Sequence, residues 1–391
     1  MKQRGLERTQ RSGRLARTAQ RCLALAMVVG SFYPWCAGCF GAEPAPASNP
    51  RLQDFLRRFP QADLNGDGVL TADEAREARR KSQGQMAGKA GKGTKKDAQG
   101  DSRVGALEPA FANVSYGPHE RNVLDFWKAE SKEPTALIVF IHGGGFVGGD
   151  KAKANPAIVK ACLDAGVSFM AINYRFRQHA AIQDILRDAA RALQSVRHNA
   201  TKYNIDPKRI ACYGGSAGAG TSLWLAAHDD LADPKNADPV LRQSSRIAAA
   251  GCLNGQATYD FTEWDGIVGP FKPEWRRSPD EIVQFYQFKN EADLQTPEGK
   301  KILDDCNMLR LLTRDDPPVF MSCTVANIEP TDRGQYVHHP RHALAVKKQC
   351  DAVGVECVTV LRDDLQQGVS REQRLLEFLF QHLKVAKPPQ L

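Results

Sequence analysis

The chain lacks an uninterrupted apolar run long enough to cross a bilayer. Its most hydrophobic stretch, residues 22 to 42, is broken by Gly30 and Pro34, short of the ~20 residues that a spanning helix needs. Beyond Cys36 and Cys39 no two cysteines stand at metal-ligand spacing, which removes zinc fingers and ribbons from consideration. Excess positive charge is also scarcer than the formal +8 suggests. Residues 1–21 hold seven basic side chains against Glu7, so six of those eight charges belong to one terminal segment. A nucleic-acid partner therefore has little support, because binding of that kind needs basic residues gathered on a folded surface.

What is present at the start reads as a targeting segment. A basic leader is followed by the apolar run, then by small residues and the proline-rich stretch 43–50, the pattern of an export signal over residues 1–42. The expected location is periplasmic or extracellular, with membrane attachment only if Cys39 carries a lipid. Ten cysteines would fit a disulfide framework in an exported protein. Three of them belong to the leader, however, and seven is an odd remainder. Cys162, Cys212, Cys252 and Cys323 sit in apolar or small-residue runs typical of buried thiols, so one or two bridges at most are expected, and no zinc site.

Residues 63–74 read DLNGDGVLTADE and resemble an EF-hand loop. Side-chain oxygens stand at the first, third and fifth positions as Asp63, Asn65 and Asp67. The turn glycine follows at Gly68, the sixth position, then the carbonyl of Val69, the hydroxyl of Thr71 and the carboxylate of Glu74. Leu52, Phe55, Leu56 and Phe59 supply an entering amphipathic helix, so residues 43–81 read as a single helical module holding one structural calcium ion. No second loop pairs with it, and Pro60 cuts into the entering helix, which together predict weak affinity. Residues 82–104 are Gly-, Ser-, Gln- and Lys-rich with hardly an apolar side chain, a solvated tether.

Two motifs organise the remainder, residues 105–391. In the stretch 209–220, RIACYGGSAGAG, an apolar strand runs through a tight turn into a helix. Gly214 and Gly218 flank Ser216 at a distance of two residues, the spacing of a nucleophile elbow, in which the strained turn needs small neighbours and exposes the hydroxyl at a strand's end. Upstream, the buried strand 136–141 ends in His142-Gly143-Gly144-Gly145-Phe146. Glycines there let backbone N–H groups turn inward, and Gly143 and Gly144, with the N–H of Ala217, are the candidate oxyanion donors.

On these motifs the chain resembles the alpha/beta-hydrolase carboxylesterases, in particular the hormone-sensitive-lipase-like and sugar-esterase branches. The likeness covers roughly 111–384 and includes Asn173-Tyr174-Arg175 and the run 204–210 leading into the elbow. It implies a doubly wound, mostly parallel sheet with its site at the strands' carboxyl ends. It also implies hydrolysis of small acyl esters, acylated sugars among them, with no cofactor for catalysis. The expected strands are 111–116, 122–128, 136–141, 167–175, 210–213, 247–253, 318–324 and 356–361, with helices over 157–165 and 180–200. The aromatic-rich insert 254–315 is expected to lie over the pocket as a cap or to form a satellite core.

The resemblance fails at the other two members of a triad. The family's histidine follows the last strand, yet residues 362–370 contain none, and the next histidine, His382, belongs to a terminal amphipathic helix. The family's acid follows the preceding strand, where Asn327 stands, with Glu329 and Asp332 close behind. The same loop carries His338 and His339. Two readings follow. Either His338 or His339 is a displaced base oriented by Glu329 or Asp332, or the chain is a binding protein that keeps the pocket and has lost the base.

Overall fold

The computed structural model describes residues 107–367 and 370–391. The segments expected to be an export signal and a tether, and the expected calcium-loop residues Asp63, Asn65, Asp67, Val69, Thr71 and Glu74, lie outside the described residues.

Among the described residues eight strands form one sheet, in the order β1-β2-β4-β3-β5-β6-β7-β8. They are β1 (Phe111–Ser115), β2 (Val123–Trp127), β3 (Thr135–Ile141), β4 (Ser168–Ile172), β5 (Ile205–Gly215), β6 (Ala250–Leu253), β7 (Val319–Cys323) and β8 (Cys357–Leu361). β2 runs antiparallel to β1 and β4, and every other pairing is parallel. The inner strands ALIVFI, SFMAI and VFMSC are almost wholly buried, as expected where helices cover both faces and no polar-out alternation is possible.

One face is covered by α2 (Ile182–His198), α3 (Ala217–Ala227) and α7 (Pro340–Val353). The other is covered by α1 (Pro156–Asp164) and α8 (Arg371–His382). Between them in sequence stand α4 (Glu281–Tyr286), α5 (Pro297–Asp305) and α6 (Arg333–Val337). Local chemistry accounts for their ends. Asn155 accepts a bond from Ala157 N ahead of Pro156 to start α1. On α2, Ile182, Ile185, Leu186, Ala189, Leu193 and Val196 give a buried stripe at helical spacing.

Three expectations change in detail. The helix expected over 180–200 stops at His198 and resumes as one turn, Ala200–Tyr203. β5 starts at Ile205 rather than 210, because residues 205–210 face only Thr135–Leu137; the resulting bulge accommodates Pro207, which has no N–H to give the ladder. The insert 254–315 contains α4 and α5 and divides its aromatics. Tyr259, Phe285 and Tyr286 join the main core, while Trp264, Phe271 and Trp275 gather around Tyr336.

Candidate active site

Ser216 sits between β5 and α3 with φ 53° and ψ −116°, a region that costs a side-chain-bearing residue on the order of 1–3 kcal/mol. The surroundings over-determine it. Ser216 N donates to Leu253 O at 2.9 Å, and Ser216 O accepts from Gly220 N at 3.0 Å. A Cβ on Gly214 or Gly218 would run into the Ile141 carbonyl at the end of β3, so the turn can be this tight only with glycine at both places.

The loop after β3 faces this turn. Gly144, Gly145 and Phe146 all have positive φ, 130°, 61° and 59°, a backbone course that favours glycine. Gly143 packs against the Ser216 side chain, a Cβ built there lying 3.5 Å from Ser216 Cβ. Among the described residues, the N–H groups of Gly143, Gly144 and Ala217 are bonded to no acceptor. His142 fixes the loop: its Nδ1–H donates to Gly143 O at 2.9 Å, its carbonyl accepts from Tyr174 Oη at 2.6 Å, and its ring stacks on Tyr174. Burial lowers its pKa to about 4, so it stays neutral and structural.

The structure separates the two neighbouring histidines. His338, at the C-terminal end of α6, places Nε2 2.8 Å from Ser216 Oγ. His339 does not reach the serine. It caps α7, its Nδ1 accepting from Arg341 N at 3.2 Å while Nε2–H donates to Ile328 O at 2.8 Å, and it is fully buried. Both of its ring nitrogens are thereby used in holding the loop.

Neither candidate acid meets His338. Asp332 is the N-cap of α6 and accepts from Gln335 N at 2.9 Å. Glu329 is exposed and has no hydrogen-bond or ion-pair partner among the described residues. The group that orients the ring is the carbonyl of Gly334, which lies 3.1 Å from His338 Nδ1. That bond fixes the proton on Nδ1 and leaves Nε2 free to accept from the serine hydroxyl. Burial lowers the His338 pKa, opposed by the Gly334 carbonyl and reinforced by the cations of Arg333 and Arg277. Two further elements hold this loop: from the end of β7, Cys323 Sγ donates to His338 O at 3.0 Å, and from the segment after β6, Gln256 Nε2 donates to Val337 O at 3.0 Å.

Sequence reasoning missed Gly334, whose contribution is a backbone atom that any residue type supplies. It also missed Arg177, Arg276, Arg277 and Arg333, which line the pocket. The adjacent Arg276-Arg277 pair amid the aromatics of the insert was the available signal. Ser216 and His338 border two cavities. The larger, about 750 Å³, is walled by Phe146, Phe261, Trp264, Phe285 and Tyr336 among others, so the insert's aromatics line the pocket as well as filling core. The smaller, about 410 Å³, lies toward Lys153, Tyr213 and Arg371. Among the described residues no helix is long and apolar enough to cross a membrane.

Comparison with known proteins agrees with this architecture. The model of the BD-FAE family matches residues 124–320, half of the chain. A relative in Mycobacterium tuberculosis, the probable carboxylic ester hydrolase LipM, is 29% identical over 66% of this chain and 58% of its own length. The probable isoprenylcysteine alpha-carbonyl methylesterase ICMEL2 of Arabidopsis thaliana is 33% identical over 48% of this chain and 45% of its own length. The chain thus spans about half the length of these relatives. Among solved structures, a truncated carbohydrate esterase from gut microbiota superimposes with a TM-score of 0.55 at 20% identity, covering 70% of this chain and 96% of that one. The fold is that of the alpha/beta hydrolases.

Proposed function

The chain belongs to the BD-FAE family, and from that premise we propose that it is a serine carboxylic ester hydrolase acting on small acyl esters, acylated sugars among them. Ser216 is the nucleophile, His338 the general base, and the N–H groups of Gly143, Gly144 and Ala217 the oxyanion donors. The observation that carries this reading is the 2.8 Å separation of Ser216 Oγ from His338 Nε2.

In the first half-reaction His338 Nε2 takes the Ser216 hydroxyl proton as Oγ bonds to the ester carbonyl carbon. The carbonyl oxygen becomes an oxyanion that accepts from the N–H groups of Gly143, Gly144 and Ala217. The imidazolium then gives its proton to the departing alkoxide, the C–O bond breaks, and the alcohol leaves an acyl-serine. A water attacks that ester, losing its proton to His338, and the collapse returns the proton to Ser216 Oγ and frees the carboxylic acid.

The Gly334 carbonyl takes the orienting part of a triad acid without its charge. Holding the right tautomer is the larger share of that role, since a partner that forces the wrong one costs on the order of 10⁴ in rate. The imidazolium, however, gains only a dipole where a carboxylate would give full charge. The second reading, a binding protein with no turnover, is favoured by that one feature. A fluorophosphonate probe separates them. An adduct on Ser216 that is lost in Ser216→Ala and in His338→Ala, with turnover of a short-chain aryl ester, supports the hydrolase; an unlabelled serine with no turnover supports the binding protein.

Calcium binding at Asp63, Asn65, Asp67, Val69, Thr71 and Glu74, and export through residues 1–42, belong to the same proposal and rest on sequence pattern alone. Titration calorimetry of the full chain against Glu74→Ala tests the first, and N-terminal sequencing of the protein from a cell's exported fraction tests the second.

A further inference from the structure

We propose that the ester this site takes carries a carboxylate on the portion that fills the larger cavity, and that Arg177 and Arg277 bind it with Arg333 in support. This inference rests on the hydrolase reading above and narrows its substrate class. Four guanidinium groups line that cavity, those of Arg177, Arg276, Arg277 and Arg333, against two carboxylates, Asp265 and Glu281. The carboxylates are engaged. Asp265 Oδ1 accepts from Tyr336 Oη at 3.1 Å and from Phe271 N at 3.1 Å. Glu281 pairs with Arg333 at 2.5 Å and accepts from Arg277 N at 3.1 Å. Arg276 is turned to Glu291 at 2.7 Å.

That leaves Arg177 and Arg277 with no carboxylate partner among the described residues. The Arg177 guanidinium lies 5.8 Å from the Phe285 ring centre, and its Nε is buried without an acceptor, as is that of Arg333. A buried guanidinium with unmatched N–H groups is costly unless something answers it. Burial and the neighbouring cations Arg277 and Arg333 together lower the Arg177 pKa, with Glu281 opposing, so the three guanidinium groups repel one another across a space that one anion would relieve.

The position of the cluster matches an ester's second group. Arg177 N donates to Phe146 O at 2.8 Å, which ties it to the oxyanion loop. Arg277 Nη1 lies 3.4 Å from where a Cβ on Gly145 would stand. Arg333 immediately precedes Gly334, which orients the base. A planar carboxylate a few bonds from the ester carbonyl fits such forked donors in a way that a neutral acyl chain does not.

The test compares matched charged and neutral aryl esters. On the acyl side the pair is 4-nitrophenyl hemisuccinate and 4-nitrophenyl pentanoate; on the alcohol side it is 4-acetoxybenzoate and 4-acetoxyacetophenone. The expected result is kcat/KM favouring the charged member of one pair by roughly tenfold or more, as charge-assisted hydrogen bonds imply. That preference should shrink in Arg177→Gln and in the more exposed Arg277→Gln, and as ionic strength rises. Which pair responds identifies the arm that enters the larger cavity. Turnover of the neutral esters without preference in either pair overturns the inference and leaves the hydrolase reading intact. If no ester is turned over, calorimetry on Ser216→Ala decides: binding of monomethyl succinate that weakens in the added Arg177→Gln or Arg277→Gln change supports the cluster's role, and no binding overturns it.

Discussion

The two halves of the candidate site are built in opposite ways. Ser216 and the candidate oxyanion donors come from two short segments, 142–146 and 214–218, whose geometry follows from local sterics: glycines where a Cβ would strike Ile141 O, and positive φ through the loop after β3. His338 stands instead in the loop between β7 and α7, held by Gly334, Cys323 and Gln256. Geometry fixed within five residues is stiff and repeatable. Geometry assembled from three separate elements is adjustable, and this is the half in which the expected acids, Glu329 and Asp332, do not meet the histidine.

The largest effect expected is on turnover. Ser216→Ala and His338→Ala should each lower kcat on a short aryl ester by at least roughly 10³, and the double variant should fall scarcely further, because the pair acts as one unit. If His338→Ala keeps most of the rate, the base half is wrongly assigned while the nucleophile half stands.

Next in size is a loss of stability in acid, which probes both halves. A histidine in the unfolded chain takes its proton near 6.5, whereas burial lowers folded His142 to about 4 and folded His342 to about 3. Between these values the unfolded chain holds more protons, so stability is complete above about 6.5 and falls as the pH drops. At pH 5 each contributes a loss of roughly 2 kcal/mol relative to neutral pH. Urea melts at pH 7 and pH 5 measure it, and His342→Gln should flatten part of the difference.

His339→Ala then contrasts with its neighbour. It removes a helix cap and the bond to Ile328 O, which predicts a loss of about 1–2 kcal/mol in denaturant unfolding with the acid limb of the rate profile unmoved. The smallest changes are expected at the side chains that a triad would have used. Glu329→Gln and Asp332→Asn should leave kcat within roughly threefold, since a carbonyl dipole and no carboxylate orients His338. Because burial and nearby guanidinium groups lower the His338 pKa, the acid limb of kcat/KM should lie below 6.5, and Arg333→Gln should move it upward. A limb that shifts in Asp332→Asn instead would restore the acid.

The sequence made one half of this site legible and only bounded the other. Ser216, Gly143, Gly144 and Ala217 were readable because strand, glycine spacing and turn are consecutive in the chain. His338 and His339 were readable as a pair, as the histidines of the two loops that close over the elbow. Choosing between them required knowing that Pro340 opens a helix for which His339 is the cap, leaving His338 one residue earlier to face the serine. An acid was sought by residue type, and the orienting atom belongs to Gly334's backbone, which residue type does not reveal. The arginine cluster draws on residues 177, 276, 277 and 333, which only the folded topology brings together. The eight strands were all found, because continuous apolar runs mark a sheet covered on both faces, while the bulge at Pro207 and the break at Asn199 depend on pairing and packing with distant partners.

The hydrogen bond from the Cys323 thiol to the carbonyl of His338 has a consequence for how such an enzyme would be classified at the bench. Burial raises the Cys323 pKa, so the sulfur is a poor nucleophile at neutral pH. A mercurial or maleimide that nevertheless reached it would push the imidazole's backbone away from Ser216. Activity would then vanish on thiol modification, the usual diagnostic of a cysteine hydrolase, although the sulfur never touches the ester. Cys323→Ser would expose the misdiagnosis, retaining turnover while abolishing the inhibition.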